Sequence, residues 1–309
     1  MIKGIGGCNS AECAMNFGTH NGIFHCDEVV GIAILDLVYN DIDTYVVRTR
    51  NLDELKKLDV VIDVGGGMFD HHISGFNVRR SSGVKYASAG LVWKEYAEKA
   101  IRSVMSDEKM YIDYDDIEMI KKQIDEEIIV KVDMEDNGEE AGTHLFSFIT
   151  EFLPSWTENS DYDGAFHNVE SIVVEVLRKI IKNKIVQIMT SIEIRRRLTC
   201  VDDGILEIPA QNMPWIEEVV LYNRVHNYNV KFVVFPYPAG GYAAQSVPPS
   251  IKKKFEQLVS FPKKWAGGNE YTLPQITGIK DATFCHNGCF FVRAKTKKAI
   301  IEMCKLAMD

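Results

Sequence analysis

Long apolar runs are missing. Nowhere in the 309 residues do apolar side chains approach the roughly 18 in succession that a membrane-spanning helix needs, so no membrane partner is expected. The opening stretch MIKGIGGCNSAECAMNFG has neither the charged-then-apolar layout of a secretory signal nor the Arg-rich amphipathic character of a transit peptide. These absences point to the cytoplasm or the nucleus, with mitochondria an open alternative that lacks a clear presequence. A disulfide rhythm is missing too: the cysteines number seven, an odd count, and are scattered, which fits a reducing compartment. Cys285 and Cys289 around His286 come nearest to a zinc pattern, but no second pair stands at a suitable spacing. They read as buried free thiols beside strands. No internal repeat or low-complexity tract interrupts the chain.

An overall excess of positive charge is also absent. The net charge is −9, yet residues 191–309 carry 16 Lys+Arg against 11 Asp+Glu (+5), leaving 35 − 16 = 19 against 44 − 11 = 33 (−14) for residues 1–190. An acidic first part suits cation binding, and a mildly basic second part suits a phosphate-bearing substrate. Charge alone is equally met by ordinary solvated surface. With 46% apolar residues, the chain has ample material for a buried core in one large or two ordinary domains.

The first part alternates strand-like and helix-like pieces. AMNFGTH reads as a strand entering a loop, DEVVGIAILDLVY as a helix apolar nearly all round, and DTYVVRT as a strand. NLDELKKL is a short helix with Asn51 as its cap, and DVVIDVGGG a buried strand ending in a glycine turn. Strands separated by helices predict βαβ units and a parallel sheet, whose sites form at the carboxyl ends of the strands. SAGLVWKEYAEKAIRSV starts a helix with Ser88 as its natural cap. The stretch YDDIEMIKKQIDEEIIVKVDMEDNG places Ile117, Ile120, Ile124 and Ile128 on one helical face, with Asp133 and Asp136 near its end. Beyond about residue 200 the texture changes to short strands and turns before a closing helix, TKKAIIEMCKLAM. The predicted architecture is α/β: a parallel-sheet domain over residues 16–199 with helices on both faces, then a smaller α+β domain over 200–309. The first fifteen residues carry no motif.

Half of the eight histidines lie in the first quarter, each cluster beside aspartates: THNGIFHCDE at Thr19 to Glu28, and FDHH ending in His71 and His72. Imidazole and carboxylate together are ligands of Mn, Zn and Fe, and carboxylates of Mg. One carboxylate can bridge two cations about 3.5–4 Å apart, the geometry that polarises a phosphoryl group. His20, His25, Asp27, Asp63, Asp70, His71, His72 and Asp133 are more ligands, from more separated segments, than a single structural zinc uses. Singly, a buried His beside an Asp is more often a satisfied core pair. Four such pieces in order near strand ends argue for a site.

THNGIFHCDE, VVIDVGG, FDHH, YASAGLVW and VDMEDNG together resemble the DHH phosphoesterase superfamily, and within it the MYG (melanocyte proliferating gene) family of exonucleases, once labelled metal-dependent protein hydrolases. PSW, AAQSVP, FPKKWAG, ITGI and FCHNGCFF extend the likeness over nearly the whole chain after Asn16. The resemblance implies a DHH-type domain holding two divalent ions, Mn or Mg, which activate water for attack on phosphorus. It implies that His20, His25 and Asp63 hold one ion, and that Asp27, Asp63, His71 and Asp133 hold the other, with Asp63 bridging. Asp70 would orient an imidazole, and His72 would face the substrate phosphate as a donor or proton relay. His286 and Lys264 of the smaller domain, with Ser88, would bind substrate. The implied activity is 3′→5′ cleavage of RNA or short oligonucleotides. Rival readings are a phosphohydrolase of pyrophosphate or a dinucleotide, and a non-catalytic metal-binding regulatory protein. The resemblance leaves the oligomeric state open, a homodimer among the arrangements.

The chain departs from its relatives in places. His25 and Asp27 stand where most DHH exonucleases have an Asp-x-Asp motif, as they do in the MYG family. GTHLFSFITEFLPSW lacks the arginines expected before PSW, and an expected arginine is also missing around IKKKFEQLVSFPKKW, where Lys252–Lys254 and Lys263–Lys264 offer point charges without arginine's two-pronged fork. Trp156, Trp215 and Trp265 read as core, with base stacking the alternative. Arg195–Arg197 read as cations suited to a helix end rather than a phosphate track.

Overall fold

The computed structural model describes residues 14–142, 144–158, 160–226 and 229–309; all but the last two of the fifteen residues that precede the motifs lie outside that description. The chain divides into two compact units, the first ending at Ile185 and the second running Val186–Asp309.

In the first unit, β1 (Met15–Thr19) is the centre of a parallel three-stranded sheet. It is flanked by β2 (Thr44–Arg48), reached through helix α1 (Cys26–Val38), and by β3 (Val60–Val61), reached through the single-turn α2 (Leu52–Leu55). The expected Asn51 cap forms: its side chain accepts from the backbone N–H of Asp53. The predicted third strand is only two residues long, continued by one bridge between Ile62 and Phe69. Helix α1 is buried on every face, as its composition demands, with Val29 through Leu35 fully enclosed. It packs against α3 (Ser88–Asp107).

The stretch read as one long helix is α4 (Tyr114–Ile124), a wide π turn (Asp125–Ile129) and α5 (Val130–Asp136). A π turn takes up one extra residue and so resets which face is inward. Ile117, Ile120 and Ile124 are buried as predicted, but Ile129 rather than Ile128 continues the stripe, followed by Val132 and Asp133. Then come α6 (His144–Thr150) and the 37-residue α7 (Tyr162–Leu198). The division between units falls inside α7, whereas the predicted boundary at residues 199 and 200 lies just past its end.

The second unit has β4 (Ile205–Glu207), α8 (Ile216–His226), β5 (Phe232–Pro236), β6 (Tyr242–Ser246), α9 (Leu273–Thr277), β7 (Ala282–Cys285), β8 (Phe291–Ala294) and α10 (Lys297–Leu306). The sheet order is β4-β5-β6-β8-β7, with only β4 and β5 parallel. Alternation along β5 splits the core. Phe232 and Val234 face a cluster containing Trp265, Ile300 and Met303, whereas Val233 and Phe235 face one containing Trp215, Val219 and Leu198. Trp215 and Trp265 are thus core residues as predicted, but Trp156 is 96% exposed. Arg195–Arg197 close α7, where Arg196 and Arg197 both bond Glu193. Among the described residues no helix is long and apolar enough to cross a membrane.

The π turn makes a direct prediction. Ile129→Ala should destabilise the chain by about 2–5 kcal/mol in urea unfolding, as expected for truncating a fully buried isoleucine. Ile128→Ala, at a partly buried position, should cost clearly less; equal costs would contradict the shifted register.

Candidate metal centre

The site assembles at the carboxyl ends of β1 and β3. His20 follows β1 directly and is buried, while Asp63 follows β3 through the bridging Ile62. Asp63 has a backbone φ of 59°, a left-handed conformation that only aspartate, asparagine and glycine adopt at modest cost. That turn aims its carboxylate back over the sheet end. Oδ2 lies 3.4 Å from His20 Nε2, and Oδ1 lies 3.3 Å from His71 Nε2 and 3.2 Å from His72 Nδ1.

Three groups of potential ligands result: His20, His25, Glu28 and Asp63; Asp63, His71 and His72; and Asp27, His71 and Asp136. Asp63 belongs to the first two and His71 to the last two. The start of α1 supplies His25, Asp27 and Glu28, where acidic side chains also meet the helix dipole favourably. His25 N–H donates to Glu28 Oε1, which lies 3.1 Å from His20 Nε2. Arg48 pins the loop between His20 and His25. Its Nη2 donates to the Gly22 carbonyl and its Nη1 to Asp163, and its guanidinium lies over the Phe166 ring.

The start of α3 holds two carboxylates by backbone N–H groups. Ser88 and Ala89 donate to Asp27 at 2.8 and 2.6 Å, and Gly90 donates to Asp133 at 3.0 Å. Gly90 is required there, because a Cβ would overlap the Asp133 carboxylate and lie 2.8 Å from Arg80 Nη2. Asp70 organises the intervening loop, accepting from Gly66 N–H and His72 N–H and lying 3.3 Å from His72 Nδ1.

The electrostatics show what the cluster lacks. Burial favours the neutral form of His20, but Asp63 and Glu28 outweigh it and carry the imidazole up to about 10. His71 is likewise raised to about 10, burial being overcome by Asp136 and Asp63. Asp63 is lowered against its own burial by the three imidazoles, whereas Asp27, enclosed and facing Asp136 and Asp63, is raised by burial above all. Asp63 Oδ2, Glu28 Oε2 and both ring nitrogens of His71 are buried without a properly directed hydrogen bond. Of these, Asp63 Oδ2 lies 3.4 Å from His20 Nε2, His71 Nε2 lies 3.3 Å from Asp63 and 3.1 Å from Asp136, and Glu28 Oε2 lies 3.9 Å from His25 Nδ1; buried polar atoms that converge so and yet miss hydrogen-bond geometry are the donor set of a cation site. The residues therefore fit divalent metal.

The profile of the MYG1 exonuclease family, described as an uncharacterised protein family (UPF0160), matches residues 16–308. The chain belongs to the MYG1 exonuclease family. It is similar to the MYG1 exonuclease of Mus musculus, 26% identical over 336 residues that cover 97% of this chain and 86% of that one. The Homo sapiens MYG1 exonuclease is 25% identical over 94% of this chain and 85% of its own. The Saccharomyces cerevisiae MYG1 protein is 23% identical over 94% of both. A solved structure of an uncharacterized protein from Helicobacter pylori G27 spans 96% of this chain and 99% of its own at 11% identity, with a TM-score of 0.20, and carries no argument.

The structure brings together His20, His25, Asp27, Asp63, His71 and His72, with Asp70 beside them. Asp133 belongs to none of the three groups among the described residues; Arg80 and the Gly90 N–H hold it, and burial pushes its carboxyl up to about 7. Ser88 is not the cap of α3. Ala87 occupies that position, and the Ser88 hydroxyl donates to Asp63 Oδ1 at 3.0 Å. His286 and Lys264 are exposed residues of the second unit on neighbouring segments, tied by the Cys285 N–H bond to the Gly268 carbonyl. Cys285 and Cys289 are buried free thiols. Sequence reading missed Glu28, Asp136, Arg48 and Arg80. Glu28 and Asp136 each carried a signal, standing three residues past a chosen ligand, the spacing of one helix face.

The raised histidines predict a pH dependence of the metal-free chain. A protonated His20 stabilises the fold fully below its ordinary value of 6.5, and that contribution fades as pH climbs towards about 10. The melting-temperature gap between chelator-treated wild type and His20→Gln should be widest below pH 6.5 and narrow by pH 10. A gap independent of pH would contradict the assignment.

Proposed function

We propose that this chain is a divalent-metal-dependent phosphodiesterase of the DHH type, a 3′→5′ exonuclease acting on RNA or short oligonucleotides. The observation that carries the reading is Asp63, one buried carboxylate shared by two groups of potential ligands. The names of the MYG1 exonuclease relatives support the nuclease part.

In this reading His20, His25, Glu28 and Asp63 hold one ion, and Asp63, Asp27, His71 and Asp136 hold the other, Mn or Mg by ligand type. Two such ions supply Lewis-acid polarisation of the phosphoryl group and activation of water. The chain's own residues do the rest. Asp136 replaces Asp133 as ligand, because it is the aspartate that reaches His71, at 3.1 Å. Asp70 and Asp63 hold His72 through Nδ1, leaving the ring's other nitrogen on a side chain that is 62% exposed. The Asp63 contact raises the His72 pKa above its ordinary value, which favours the ring as a hydrogen-bond or proton donor to a phosphoryl or leaving-group oxygen. Ser88 steadies Asp63 rather than substrate. His286 and Lys264 serve as phosphate contacts of the second unit.

The test is an RNA oligonucleotide labelled at the 5′ end in one reaction and the 3′ end in another, with Mn or Mg. A descending ladder from the 5′ label and early release of a labelled mononucleotide from the 3′ label are expected. Asp63→Asn should retain the fold and lose at least about 100-fold in rate, since removing even an outer partner of a metal ligand costs 10–100-fold. Full turnover by Asp63→Asn would exclude the shared-carboxylate reading.

A further inference from the structure

Arg80 is a buried cation beside the cluster that no proposed ligand set uses. Its Nε and Nη2 donate to Asp125 at 3.0 and 2.8 Å, its Nη1 bonds Asp133, and its guanidinium lies 4.0 Å from the centre of the Tyr86 ring. The two carboxylates bracket the π turn. Eight residues of regular α-helix span about 2.2 turns, which would swing Asp125 and Asp133 well apart around the axis. With one residue absorbed by the wide turn they stand about 1.9 turns apart, close to one face, under a single guanidinium. Asn137 adds a second grip from the same loop, donating to the Lys85 carbonyl at 3.3 Å and to that of Asp133 at 2.7 Å. Between these two anchors sits Asp136, 3.1 Å from His71 Nε2.

We propose that Arg80 is a positioning residue: by clamping Asp125 and Asp133 across the π turn it fixes the helical register that delivers Asp136 to His71 and Asp27, and it holds Asp133 out of the ligand set. The clamp acts on one ligand group only. His20, His25 and Glu28 are fixed by α1 and by Arg48, with no part in it. Charge alone does not suffice, because a lysine ammonium cannot chelate Asp125 and bond Asp133 at once. The inference rests on the two-metal reading.

The experiment is titration of the chelated full-length chain with Mn, counting free ion by electron paramagnetic resonance. Wild type should show two sites. Arg80→Met and Arg80→Lys should each retain one site within about threefold and weaken the other about 10–100-fold, the range for partners that orient metal ligands. Circular dichroism and cooperative unfolding check the fold. If Arg80→Met does not fold, Asp125→Asn opens the clamp from its more exposed side and should give the same selective loss. Two undisturbed sites in these variants, equal loss of both sites in a folded variant, or full rescue by Arg80→Lys would each overturn the clamp. A wild-type chain that binds no Mn would overturn the two-metal reading itself, and the inference with it.

Discussion

A single carboxylate at the end of a two-residue strand organises the first unit. Asp63 sits where the parallel sheet stops, in a left-handed conformation, and receives the Ser88 hydroxyl while three imidazoles lie within 3.4 Å of it. A buried anion costs several kcal/mol unless it is compensated. In the metal-free chain the compensation is protons on histidine, which is why His20 and His71 are raised so far. Divalent cations bound there would meet the same balance and displace the protons. The arrangement is therefore tuned to positive charge, with the glycine turn and the FDHH loop folded to supply its surroundings.

The start of α3 is the second support. Helix N-termini leave backbone N–H groups unpaired, and they attract anions. Here the anions are the protein's own: Asp27 takes two of these donors and Asp133 a third. That use explains why Ser88 does not cap the helix and why Gly90 has no room for a side chain. It also links α1, α3 and α5 through three hydrogen bonds, so the candidate ligands on α1 and α5 share one reference frame.

In the second unit, the alternating strand β5 gives a core on each face of the sheet, each with its own buried tryptophan, Trp265 or Trp215. The exposed features lie on loops beside it. Loops over a rigid sheet are where binding groups are usually displayed, and the exposed His286 and Lys264, on adjoining segments, match that pattern.

The strands, their order along the chain and the histidine–aspartate clusters were legible in the sequence, because alternation, apolar composition and turn residues are local signals. So was the concentration of histidines and aspartates at strand ends, which follows from parallel-sheet topology. Helix register was not. The regular spacing of Ile117, Ile120, Ile124 and Ile128 reads as one helix, and only the π turn, clamped by Arg80 from a loop 45 residues away, decides that Ile129, Asp133 and Asp136 turn inward. For the same reason the choice between Asp133 and Asp136 could not be made from DMEDNG: two aspartates three residues apart share a helix face, and which one meets histidine depends on where Arg80 stands. The order of residues along the chain supplies the histidines and carboxylates that a cation site can use. Which carboxylate bonds an arginine and which faces the imidazoles is set by folding, because it depends on long-range contacts and not on residue type.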